Sequence, residues 1–129
     1  MQDVTNQLAN AQVIEIWVTG PDGANRMFVC SGFWPYGWGG GTVQTKETFT
    51  FHVGPSLGRR EFIRACCAAG PTGVFGNSAQ GSAQVSSSDA DWDDEDGRVQ
   101  VTLELQSSGS WGIYGFHYNV TILAEKARL

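Results

Sequence analysis

The sequence has little positive charge and no long apolar run. Of its 129 residues, 8 are Lys or Arg and 2 are His. The one basic cluster, Arg59, Arg60 and Arg64, is small, whereas a surface that follows a nucleic-acid backbone needs many cations. We therefore expect no nucleic-acid binding. We also expect no transmembrane segment, because no stretch approaches the length of about 18 apolar residues that a spanning helix requires.

Catalytic motifs are also missing. No G-x-S-x-G elbow, P-loop, H-E-x-x-H or C-x-x-C pattern occurs. His52 and His117 both fall on the polar side of predicted strands, where a histidine is usually a surface residue. The partners of a catalytic Cys–His pair can meet in space rather than in sequence, so such a pair stays open as an alternative. Hydrolysis by paired carboxylates needs a cleft, and nothing in the sequence indicates one. The sequence therefore predicts a protein that is not an enzyme.

The first residues lack the features of a secretion signal. Residues 1–12 are polar and contain neither a basic n-region nor an apolar h-region. The expected alternatives are a cytoplasmic protein, a protein whose signal is missing from this sequence, or one released without such a signal. The sequence does not decide among these compartments. Residues 1–11 are expected to form a polar N-terminal arm of a single domain that spans residues 1–129.

The cysteines are few and odd in number. Cys66 and Cys67 are adjacent, so on a strand their side chains point to opposite faces. A disulfide between neighbours is strained, and we therefore expect three thiols, with a disulfide from Cys30 to either partner as the alternative. The pattern does not fit the disulfide-rich secreted proteins.

Alternation of apolar and polar residues with period two recurs along the chain. For example, Val99, Val101, Leu103 and Leu105 share one face of a stretch whose other face is polar. This period is typical of half-buried antiparallel strands. We predict seven strands, at 12–19, 26–33, 43–53, 61–69, 81–86, 98–106 and 113–124. Their number and spacing predict an all-β, antiparallel two-sheet β-sandwich with jelly-roll or immunoglobulin-like Greek-key connections.

Two segments are harder to assign. Residues 59–69 are apolar on both faces, which fits a central strand. They also fit one short helix closed by Gly70 and Pro71, two residues that in either case predict a turn. The serine-rich stretch 82–88, which overlaps the predicted strand 81–86, leads into an acidic segment and is expected to be mobile.

Aromatic residues and glycines concentrate in two segments. Residues 33–41 contain four aromatic residues and four glycines, and a second group follows at 111–118. Glycines permit sharp turns that leave rings uncovered, and exposed rings can stack on sugars or rest at a lipid headgroup boundary. The alternative is that half of the rings belong to the core and the glycines only make room. We predict five ligand-binding side chains in these segments: Trp34, Tyr36, Trp38, Trp111 and Tyr114.

Negative charge is concentrated in one stretch. The net charge is -5, and six of the 13 acidic residues lie within residues 89–96. Several carboxylates on one loop can bind calcium, the one cofactor that the sequence suggests. The EF-hand spacing fails, however, because Asp94 stands where that loop needs glycine. A solvated turn is the commoner result for such a stretch, and an acidic docking surface is a third alternative.

Three functions are compatible with these features. The first is a non-enzymatic binding module for glycans, which the aromatic loops beside a rigid sheet favour. The second is a structural or assembly subunit of a virion, tail or filament. Such a subunit would bind other protein subunits as a homo-oligomer, with its N-terminal segment added to a neighbour's sheet. The third is a toxin component that binds lipid surfaces through the same rings.

Overall fold

The computed structural model describes residues 1–20, 23–41, 44–77 and 80–125, which fold into two β-sheets packed against each other. The all-β sandwich predicted from the sequence is confirmed. The strands are β1 (Gln2–Asp3), β2 (Ala9–Gly20), β3 (Gly23–Trp34), β4 (Trp38–Gly39), β5 (Thr45–Val53), β6 (Phe62–Phe75), β7 (Ser82–Trp92), β8 (Val99–Ser108) and β9 (Gly112–Ala124), and Thr5–Gln7 form one turn of 3₁₀ helix. Over the described ranges, no helix is long and apolar enough to cross a membrane.

The two sheets share a core but have different edges. The first sheet has the strand order β1-β5-β8-β7, and the second has the order β2-β3-β9-β6, with β4 pairing with β9 beyond the end of β3. β6 and β7 lie side by side where one edge of each sheet meets the other. At the opposite edge of the second sheet, β2 packs on β3.

The core forms because the strands alternate as predicted. On β8, Val99, Val101, Leu103 and Leu105 are fully buried, and they face the buried Phe116 and its neighbours on β9. Burying a side chain of this size stabilises the fold by about 1.5–3 kcal/mol. The period-two pattern therefore fixes which face of each central strand points inward.

All seven predicted strands are present in the described residues, which do not include residue 43 at the start of the strand predicted for 43–53. β6 settles the ambiguous segment. Residues 62–69 form part of this strand, so the strand interpretation is confirmed and the alternative of a helix is excluded. The turn predicted at Gly70–Pro71 is wrong, because β6 continues to Phe75. Its register with β9 shifts just after Pro71, and an irregular edge strand tolerates a proline that donates no hydrogen bond.

Two further expectations fail near the chain's polar segments. The serine-rich stretch is not a mobile segment: it forms the first part of β7, paired with β8, as the predicted strand 81–86 indicated. The N-terminal residues are not a free arm, since β1 pairs with β5 and Val4 is fully buried in the core. The Val4 N–H donates to the carbonyl of Thr50 at 2.8 Å, which fixes this segment on the first sheet.

β2 departs most from its prediction. Its alternating sequence indicated a half-buried strand, yet every side chain from Asn10 to Thr19 is exposed. β2 lies at the edge of the second sheet and pairs with β3 alone, and its inward-facing residues are left exposed. This strand consequently presents apolar side chains on both of its faces.

Candidate functional site

The predicted aromatic platform is only partly exposed. Trp34 is 4% exposed, and its ring stacks on Phe116 with a centroid separation of 5.3 Å. Its indole N–H donates to Oε1 of Gln7 at 2.9 Å. The expectation that the Trp34 ring lies bare is therefore wrong, because the ring is a core residue that anchors the end of β3.

Trp38 and Trp111 are half-buried. The N–H of Trp38 donates to Oε2 of Glu47 at 2.7 Å, so the polar edge of its ring is already occupied. The ring of Trp111 lies directly over Gly76 and Gly81, where the Cβ of any other residue would collide with it. Gly76 and Gly81 therefore make room for this ring, although both lie outside the two glycine-rich segments identified in the sequence.

Tyr36 and Tyr114 are the exposed members of the predicted set, at 53% and 62%. Tyr114 lies against Phe75, with ring centroids 5.0 Å apart, and passes close to Gly73. Sequence reasoning did not include Phe75, because it expected β6 to end before this residue. The structure thus leaves two tyrosines, rather than a five-residue platform, available to a ligand at this end.

The acidic stretch is divided between a strand and a turn. Asp89 and Asp91 belong to β7, and the turn that follows holds Asp93 beside His52, with 2.8 Å between Oδ2 and Nε2. This hydrogen bond, together with one from the backbone N–H of Glu95, lowers the pKa of Asp93. Across the described ranges, no group of three or more His, Cys, Asp or Glu side chains could hold a metal ion.

An open polar cleft surrounds the same histidine. Its volume is about 700 Å³, and its lining includes Asp3, Thr5 and Arg98 beside His52 and Asp93. Thr5 donates to Asp3 at 2.7 Å and accepts the backbone N–H of His52 at 3.1 Å. These polar groups are therefore hydrogen-bonded to one another. Through His52, the hydrogen bonds connect the N-terminal segment to the turn after β7.

Cys30 and His52 line a smaller cavity of about 140 Å³. A thiol beside an imidazole is a combination that nucleophilic catalysis can use. Burial raises the pKa of Cys30 to about 11, however, so the thiol stays protonated and is a poor nucleophile near neutral pH. All three cysteines are free, as expected from their spacing.

The most unusual surface lies on β2. We call it the β2 surface and define it by five large apolar side chains that are 41–55% exposed: Val13, Ile14, Ile16, Trp17 and Val18. Ile14 stands opposite Val29 of β3, and Ile16 stands opposite Met27. Both partners are half-buried, so one apolar face continues from β2 onto β3. Contiguous apolar surfaces of this kind mark sites of contact with another molecule.

β2 also lacks the features that usually protect an edge strand. Edge strands avoid pairing with other chains through Lys, Pro or irregular backbone. Between Gln12 and Gly20 there is no Lys and no Pro, and Glu15 is the single charged residue. The only irregularity in its pairing with β3 lies before Gln12. The regular part of the strand is therefore open to a further strand.

Comparison with known proteins gives no further indication of function. No family model, no curated protein and no solved structure matches this chain.

Proposed function

We propose that the protein is a non-enzymatic assembly subunit and that β2 is the edge that joins a β-strand of a neighbouring subunit. The observation that supports this most directly is the exposure of five large apolar side chains on one regular edge strand. Among the described residues, β2 hydrogen-bonds to β3 on one side only, so the backbone groups of its other side face outward.

A second strand at this edge satisfies two physical requirements at once. It forms hydrogen bonds with the outward N–H and C=O groups of β2. It also buries apolar surface, and each Å² removed from water stabilises the pair by about 25 cal/mol. Strand addition of this kind takes its affinity from backbone hydrogen bonds and its specificity from alternate side chains. Ile14, Ile16 and Val18 are β-branched, which favours packing across paired strands.

Sedimentation velocity over a range of concentrations tests this function. We expect the chain to associate as its concentration rises, and we expect Ile14→Lys and Ile16→Lys to remain monomeric because a lysine on each edge position opposes pairing. Both positions are exposed, so the variants should fold. Gln84→Lys, which places the same charge on the exposed part of β7, is the matched control and should associate like the wild type. Association that persists unchanged in both β2 variants would contradict the proposal.

A second candidate function, glycan binding, is supported by the exposure of Tyr36 and Tyr114 near one end of the second sheet. Both belong to segments in which the backbone bends at glycines, and Gly39 and Gly40 adopt φ values of 89° and 88° that favour glycine. Tyrosine combines a flat apolar ring with a hydroxyl, which suits the apolar face and the hydroxyl groups of a sugar.

A glycan array tests this second function. Binding that is lost in both Tyr36→Ala and Tyr114→Ala, but retained in Trp17→Ala, would support it, because Trp17 is an exposed aromatic residue outside these segments. Flotation with vesicles of neutral and anionic lipids distinguishes the third expected function, in which the same tyrosines rest at a lipid surface. Equal binding by the wild type and both tyrosine variants would show that Tyr36 and Tyr114 bind neither glycans nor lipid surfaces.

A further inference from the structure

The order of side chains along β2 is compatible with its own copy in the reverse direction. We propose that the neighbouring subunit is a second copy of this chain, with the two β2 strands antiparallel and Ile16 on the two-fold axis. This inference rests on the proposed function and specifies its partner. Symmetric dimers of this kind use one surface patch twice, so the patch must complement itself.

Pairing about Ile16 places apolar residues opposite one another on one face. Ile16 meets Ile16 of the second copy, and Ile14 meets Val18 in both directions. Because directly opposite residues in an antiparallel pair point to the same side, these three pairs extend the apolar face that Met27 and Val29 continue on β3. On the other face, Glu15 lies opposite Trp17, and Val13 lies opposite Thr19.

Neighbouring registers fit less well. If Glu15 instead of Ile16 lies on the two-fold axis, the two Glu15 carboxylates stand directly opposite each other, which is destabilising. With Ile14 on the axis, Gln12 stands opposite Ile16. With Trp17 on the axis, Ile14 stands opposite Gly20. Only the centre at Ile16 gives apolar partners to all three β-branched residues of this face and keeps the two Glu15 carboxylates apart.

The distribution of charge is compatible with a partner that is identical. Two copies of net charge -5 repel each other, but the acid-rich residues lie on β7 and in the turn after it. β7 adjoins β6, at the edge of the second sheet opposite β2. The copies therefore approach through strands that each carry one charged residue, Glu15. A strand without Lys or Pro does not prevent pairing with itself.

Cysteine cross-linking tests the register. The background carries Cys66→Ser, because Cys66 is the exposed native thiol. In this background Ile16→Cys places two thiols opposite each other, with Cβ atoms about 4.5–5.5 Å apart. Val13→Cys is the matched control, since Val13 is exposed at 53%, against 41% for Ile16, but lies roughly 20 Å from its symmetry mate in this register. Each variant is treated with a mild oxidant or a short bis-maleimide, and dimers are counted on a non-reducing gel.

We expect a covalent dimer from the Ile16→Cys chain and at least tenfold less from the Val13→Cys chain. Equal cross-linking of the two variants, or a chain that stays monomeric at every concentration, would overturn the inference. Association that Ile14→Lys abolishes, without cross-linking at position 16, would also overturn this pairing. That last result would leave the proposed function standing, because β2 would still be the interface, whereas association insensitive to Ile14→Lys would reject both.

Discussion

Tryptophan residues in this chain serve different purposes, and the hydrogen bond of the indole N–H distinguishes them. Trp34 is buried with its N–H bonded to Gln7, and the half-buried Trp38 donates to Glu47. The N–H of Trp92 donates to two backbone carbonyls in the turn region. A buried indole needs such a partner, so these rings hold the fold together. Trp17 is 55% exposed on the β2 surface, where a ring contributes little to the core.

Replacing Trp34 should therefore destabilise the protein far more than replacing Trp17. We expect Trp34→Ala to lower the free energy of unfolding by about 3–5 kcal/mol, because it leaves a large cavity beside Phe116. Trp17→Ala should change it by no more than about 0.5 kcal/mol, as exposed substitutions do. Urea denaturation at low protein concentration measures both values. Similar losses in the two variants would contradict the assignment of Trp34 to the core.

Asp93 should make stability depend on pH in the acid range. Its hydrogen bonds to His52 and Glu95 lower its pKa below the ordinary 3.8 in the folded state, so the folded state holds the carboxylate more strongly than the unfolded chain does. The resulting stabilisation is complete above pH 3.8 and is lost as the pH falls through the folded-state pKa. We expect the stability difference between wild type and Asp93→Asn to shrink below that pH in thermal melts. Asp94→Asn, at an exposed position of the same turn, is the control and should show no such trend.

At the scale of elements, the sequence predicted where strands occur better than what surrounds them. The alternation on β8 and β9 was sufficient to identify their buried faces, because a packed sheet lies against each of them. β2 has the same alternation and no such layer, and no local pattern indicates whether a second sheet extends far enough to cover a strand. The predicted exposure of the rings in residues 33–41 was partly wrong for a related reason. Composition identified the rings but did not reveal which of them pack against Phe116 and Gln7.

The two faces of β6 should be distinguishable by thiol chemistry. Cys66 is exposed, whereas Cys67 points to the inner side, where burial raises its pKa to about 11. Cys30, on β3, is buried with a pKa also raised to about 11. Near neutral pH we expect one thiol to react with a disulfide reagent within minutes and two to react only on unfolding. Cys66→Ser should remove the fast reaction, and a fast reaction that remains in this variant would contradict the observed facing of β6.

At the scale of the whole molecule, negative charge and exposed apolar area lie on different elements of the sandwich. The clustered acidic residues lie on β7 and in the turn after it, whereas the strand that carries the β2 surface has a single charged residue, Glu15. The acidic segment is therefore suited to contact with solvent, whereas the β2 surface is suited to contact with another molecule. This separation also explains why average composition is a poor guide to function here, because a near-average apolar content of 41% is unevenly distributed.

An assembled native state should make thermal stability depend on concentration. Association through β2 stabilises the folded chain by mass action, whereas a monomer unfolds at one temperature regardless of its concentration. For a dimer of chains this long, a tenfold rise in concentration should raise Tm by about 2–3 °C. Differential scanning calorimetry over two decades of concentration measures this shift, and Ile16→Lys should abolish it while Gln84→Lys retains it. A wild-type Tm that stays constant over this range would mean that the β2 surface remains open to solvent, and its five apolar side chains would then need another explanation.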